Sequence, residues 1–161
     1  MPPSEDKSRK AAFNCAVRLL SARDHGRAEL ENKLKKKRFT QEAIASVMER
    51  LGQLNLLDDR TFAGSCMAGI ARRRPEGKFK TRARLKQKGL SDAIIEETIA
   101  SYDQSELCRT AAERKLRTLN GPPETIRKKL YTFLKYRGFD WATIRETVNT
   151  VISGEEPGRS A

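Results

Sequence analysis

Between Arg72 and Lys88 the chain carries nine cations, Arg72, Arg73, Arg74, Lys78, Lys80, Arg82, Arg84, Lys86 and Lys88, while Glu76 is the only acid between residues 71 and 90. A solvated helix face usually mixes signs, because like charges three or four residues apart destabilise an isolated helix. The chemistry open to such a run is the holding of a polyanion, either nucleic-acid phosphates or an acidic protein surface. Lys33, Lys35, Lys36, Lys37 and Arg38 form a smaller group upstream, and Arg127, Lys128, Lys129, Lys135 and Arg137 another downstream. The whole chain has the same bias, with 33 Lys+Arg against 21 Asp+Glu in 161 residues, a net charge of +12 and a pI near 10.0.

No arrangement suited to catalysis accompanies the cations. The one histidine, His25, precedes Gly26 at a helix end and reads as a surface or capping residue, not a base. Cys15, Cys66 and Cys108 have neither paired nor metal-ligand spacing, and Cys15 and Cys66 share a repeat position that suits small core residues. Asp58 and Asp59 lack a third carboxylate and read as helix initiation. Without a phosphate-cradling glycine loop, nucleotide hydrolysis is not expected. The expectation is a non-enzyme with no cofactor and no metal. Phe139, Trp141 and Tyr131 could stack on bases, but Phe139 and Trp141 are read as core, and Tyr131 and Tyr136 stay open. No apolar run approaches the roughly 20 residues of a membrane span. With a polar start from Met1 to Lys10, the chain reads as cytoplasmic, membrane-free, thiol-reduced and monomeric.

The elements that must position the cations are set by a phrase that occurs three times. It is Leu34 to Arg38, then Phe39, Thr40 and Ile44; Leu85 to Gly89, then Leu90, Ser91 and Ile95; and Leu134 to Gly138, then Phe139, Asp140 and Ile144. Each reads as a helix end with a left-handed cap, an N-cap residue, and a hydrophobic staple into the next helix. The leucines are 51 and 49 residues apart (34 to 85, 85 to 134), which is a repeat period. Ala12, Ala63 and Ala112 fall at one place in that period, as expected of a close helix contact used three times. The predicted fold is all-α: three tandem three-helix, helix-turn-helix-like repeats in an elongated, curved array, at residues 10–53, 54–103 and 104–152, with flexible tails at 1–9 and 153–161. Arg38 stands where the other two copies have glycine and is expected to strain its cap.

The linker Leu56 to Ala63, the Arg72 to Arg74 run leading to Gly77, and Leu85 to Leu90 resemble the RecX regulatory proteins of bacteria. The resemblance spans about residues 10 to 153 and is tightest in the middle repeat. It implies a protein that binds the RecA recombinase filament and inhibits its ATPase, strand-exchange and coprotease activities in DNA repair and the SOS response. It further implies weaker, nonspecific contact with single- and double-stranded DNA. Carried onto this sequence, the RecA- and DNA-binding residues are Arg72, Arg73, Arg74, Lys78, Arg82, Lys86 and Lys88, and the charge pattern adds Lys80, Arg84, Lys35, Lys36 and Lys37 as candidates. Asn55 departs from the glycine common at that place. The alternative is a sequence-nonspecific DNA- or RNA-binding helical module that does not act through RecA.

Overall fold

The computed structural model describes residues 5–154, and among them the backbone forms nine α-helices and no strand. They follow in threes: α1 (Glu5–Ala22), α2 (Arg27–Lys36), α3 (Gln41–Gln53); α4 (Asp59–Arg73), α5 (Lys78–Gln87), α6 (Asp92–Ala100); α7 (Gln104–Leu116), α8 (Pro123–Tyr136), α9 (Trp141–Ser153). Helix α1 starts at Glu5, inside the stretch expected as a tail. The remainder of the expected tails, 1–4 and 155–161, lies outside the described residues.

By internal packing the chain divides into two compact units, Met1–Cys66 with Leu85–Thr98, and Met67–Arg84 with Ile99–Ala161. The first has a core of Ala12, Ala16, Leu30, Leu34, Ile44, Val47 and Leu51. The core of the second contains Cys108, Ala112, Leu130, Leu134, Phe139, Ile144 and Val148. The anchor leucines Leu34, Leu85 and Leu134 are fully buried, as are Ala12, Ala63 and Ala112. Burial pushes the Cys108 thiol up to about 11, so it behaves as a small apolar core residue.

All three joints have the geometry their sequence predicts. Arg38, Gly89 and Gly138 adopt φ of 64°, 81° and 83°. Behind each, the next residue's N–H donates to the anchor leucine carbonyl: Phe39 to Leu34 at 3.4 Å, Leu90 to Leu85 at 3.3 Å and Phe139 to Leu134 at 3.3 Å. Thr40, Ser91 and Asp140 then cap the following helices by accepting from the N–H groups of Ala43, Ile94 and Thr143. The next connection turns at Asn55, also in the left-handed region (φ 52°), which asparagine tolerates better than most residues.

Consecutive repeats interlock in a way the sequence did not disclose. Helix α2 opens after Gly26, which offers no side-chain cap, and the N–H of Arg27 donates instead to Asp59 Oδ1 at 2.8 Å. Helix α5 opens after Gly77, and the N–H of Lys78 donates to Gln104 Oε1 at 2.9 Å. In each case the first residue of the next repeat's first helix caps the second helix of the repeat before it. The glycines are required by space: a Cβ on Gly26 would lie 2.7 Å from the Phe62 ring, and one on Gly77 would lie 2.1 Å from the Gly138 carbonyl oxygen. Helix α8 begins with Pro123, which has no N–H and needs no such partner.

The residues just before those glycines correct the sequence reading. His25, expected at the surface, is 3% exposed; Lys33 Nζ donates to its Nε2 at 2.8 Å, which leaves Nδ1–H to donate to the Arg23 carbonyl at 2.9 Å. Burial holds its pKa below the ordinary value, consistent with a neutral ring. Fifty-one residues later Glu76 is fully buried, and Arg84 grips its carboxylate with Nε at 3.0 Å and Nη2 at 2.8 Å. Arg74 Nε lies 3.6 Å from the same carboxylate. Both buried groups are thus met by a cation eight residues on. Trp141, read as core, is 63% exposed. It opens α9 at the place of Gln41 and Asp92, an outward-facing first-turn position.

Two stability outcomes follow from these contacts. Arg38→Gly should relieve about 1 kcal/mol of left-handed strain, raising the melting temperature by about 2–4 °C. Gly89→Ala should lower it by more, since its φ is 81° and a Cβ would lie 2.4 Å from the Ala28 Cβ; an unchanged melting temperature in both variants would contradict the joint geometry. In denaturant titrations Arg84→Met should cost about 3 kcal/mol by removing the bidentate partner of a buried carboxylate and leaving only Arg74, at 3.6 Å, beside it. Glu76→Gln should cost less, about 1 kcal/mol, because the Arg84 side chain is 41% exposed and can turn to water. Equal losses would show that Glu76 is not the buried member on which the pair depends.

Candidate interaction surface

The nine clustered cations divide by what each already touches. In the unit containing Met67–Arg84, Arg72 and Arg73 occupy the last turn of α4 and are exposed, favoured there by the negative helix end. The Arg72 carbonyl accepts from Arg114 Nη1 at 3.1 Å, which fixes this helix end against α7. Arg74 lies beside Glu76, and Arg84 is committed to it. Lys78 is half-buried at the start of α5. Lys80 is half-buried as well: its Nζ donates to the Tyr136 carbonyl at 3.2 Å and lies 4.1 Å from that ring's centroid. Arg82 is exposed on α5.

In the unit containing Leu85–Thr98, Lys86 pairs with Asp92 across the α5–α6 joint, both side chains exposed, so the pair contributes little to stability. Lys88 is half-buried with Nζ 5.4 Å from the Phe62 ring centroid. Lys35 pairs with Glu31 one turn back at 2.7 Å, whereas Lys36 and Lys37 are exposed at the end of α2. The proposed residues therefore do different work. Arg84 holds a buried acid, and Lys80 and Lys88 cover aromatic rings. The cations set outward at helix ends are Arg72 and Arg73 in one unit and Lys36 and Lys37 in the other.

Sequence reasoning missed Glu76 as the centre of the middle-repeat cations, although a lone acid among nine cations was the available signal. It also missed the exposure of Trp141. There the signal was the repeat register, since Gln41 and Asp92 at the same position are polar.

The helical trios coincide with three known family models. Residues 12–51 match the first three-helix domain of RecX, 58–99 the second and 102–148 the third. The regulatory protein RecX of Chlorobaculum tepidum is 61% identical over 97% of this chain and 97% of its own length. That of Chlorobium phaeobacteroides is 45% identical over 91% and 97%. In fold, the chain is similar to a crystal structure of RecX from Lactobacillus salivarius, with a TM-score of 0.76, 24% identity and coverage of 92% of this chain and 98% of that one. Matched along all three helical trios and at high identity over nearly its full length, the chain belongs to the RecX family of regulatory proteins.

Proposed function

We propose that this protein binds the filament that bacterial RecA recombinase forms on DNA and inhibits its ATP hydrolysis, strand exchange and coprotease activity, in DNA repair and the SOS response. The observation that carries the reading is the pair Arg72 and Arg73, exposed at the end of a helix in a family member of net charge +12. Outward cations of this kind dock on acidic protein lobes and on phosphates, and both are present together where a recombinase coats DNA. Such docking is fast and salt-sensitive, and fitted shape supplies the specificity. Inhibition then comes from occupying the filament, and none of the chain's own residues needs to react. The protein acts in the cytoplasm, where the filament forms.

A second reading, a nucleic-acid-binding module independent of RecA, draws on the overall charge, which any polyanion would satisfy. The proposed surface is tested with Arg72→Glu/Arg73→Glu in a RecA ATPase assay. Arg74 and Arg84 are left intact because they lie against buried Glu76. The double variant should melt near the parent temperature and require about tenfold more protein for half-inhibition. Undiminished inhibition by the folded variant would remove Arg72 and Arg73 from the interface.

A further inference from the structure

The third repeat carries an exposed tryptophan that its fold does not need, set against a tyrosine that packs on the core. Trp141, 63% exposed, stacks on half-buried Tyr131 with ring centroids 5.1 Å apart and planes 27° from parallel. Registered on the anchor leucines, Trp141 corresponds to Gln41 and Asp92, and Tyr131 to Glu31 and Arg82. The other two repeats therefore build the same helix pair with polar or charged residues at both places. Core packing does not explain a large ring at the exposed start of α9.

The surroundings are basic. Lys128 and Lys135 lie one turn to either side of Tyr131 on α8, and Arg145 lies one turn after Trp141 on α9; all three are exposed. Two acids are near in sequence. Asp140 is occupied, accepting from the Thr143 N–H and from Gln104 Nε2, and Glu146 follows Arg145 on α9.

We propose that Trp141, held flat by Tyr131, is a stacking site for a base of single-stranded nucleic acid, with Lys128, Lys135 and Arg145 receiving the adjacent phosphates. A ring already stacked on one face has lost part of its freedom, and its exposed surface can take a base without further ordering of the protein. Stacking is tolerant of sequence because every base has a π-face, and flanking cations supply the salt-dependent part of the affinity. Duplex bases are stacked on each other, so the site selects single strands. The cations around the rings favour a polyanion over an apolar protein partner. The inference rests on the nucleic-acid part of the proposed function and gives the third repeat a role of its own within it.

Trp141 is the single tryptophan of the chain, so its fluorescence reports the site directly. The full chain is titrated with oligo(dT) and with an abasic oligonucleotide of equal length, while the anisotropy of an end label follows binding independently. Oligo(dT) should quench the tryptophan and the abasic strand should not. Trp141→Ala should weaken oligo(dT) binding about tenfold, while Trp141→Phe retains most of it. Affinity for the abasic strand should be unchanged in both variants, and their melting curves should match the parent. Oligo(dT) binding without quenching, and undiminished by Trp141→Ala, would overturn the stacking site and leave nucleic-acid binding standing. Absence of any oligonucleotide binding would overturn both. A fluorescence response to DNA-free RecA alone would assign the rings to a protein contact and equally overturn the proposal.

Discussion

A helix whose first amide has no cap within its own repeat is the constraint around which this molecule is built. Glycine is needed before α2 and α5 because Phe62 and the Gly138 backbone come too close for a side chain, and glycine cannot cap. The opening N–H groups of Arg27 and Lys78 are satisfied instead by Asp59 and Gln104, each the first residue of the following repeat's first helix. Orphan amides at a helix start are costly to leave unpaired. The first and second repeats thus each depend on the next for a bond that most helices make locally. Adjacent contacts reinforce the lock: Gly89 lies against Ala28, Gly138 lies against Lys80, and the Gly77 N–H donates to the Arg137 carbonyl at 2.9 Å.

The same region explains how a run of cations folds as a helix. Like charges along α5 would repel, but Arg84 faces the buried carboxylate of Glu76, and the Lys80 ammonium is received by the Tyr136 carbonyl and ring. Part of the positive charge is therefore internal structure. What reaches solvent at the end of α4 is Arg72 and Arg73, held where a helix terminus already favours cations. A binding surface mapped from charge alone would mix these roles.

The sequence made the joints legible because their signals are local. A left-handed cap, an N-cap hydroxyl or carboxylate, and a staple at fixed spacing announce themselves within a dozen residues, and the strained cap at Arg38 was visible for that reason. The helices, the threefold period and the anchor leucines were readable on the same ground. Glu76 was not, because what surrounds it comes from chain distant in sequence: Tyr102 donates to the Glu76 carbonyl from 26 residues on, and Arg137 donates to the Pro75 carbonyl from 62 residues on; beside His25, the Phe62 ring likewise closes on Gly26 from 36 residues on. Trp141 was misread through its register, taken as a core or staple position shared by the repeats, although its counterparts Gln41 and Asp92 are polar and marked the position as outward. In the candidate surface the cations were legible as a group, while their division into structural and outward-facing members depended on tertiary partners.

Under the proposed function the protein reads a nucleoprotein filament, with outward cations meeting protein and phosphate together. Affinity for RecA-coated single-stranded DNA and for the same DNA bare, measured at one salt concentration, tests that role. Binding to the coated strand should be tighter by at least about tenfold, because charge then acts together with fitted protein contacts. Equal affinities would contradict the account and leave a nucleic-acid module in its place.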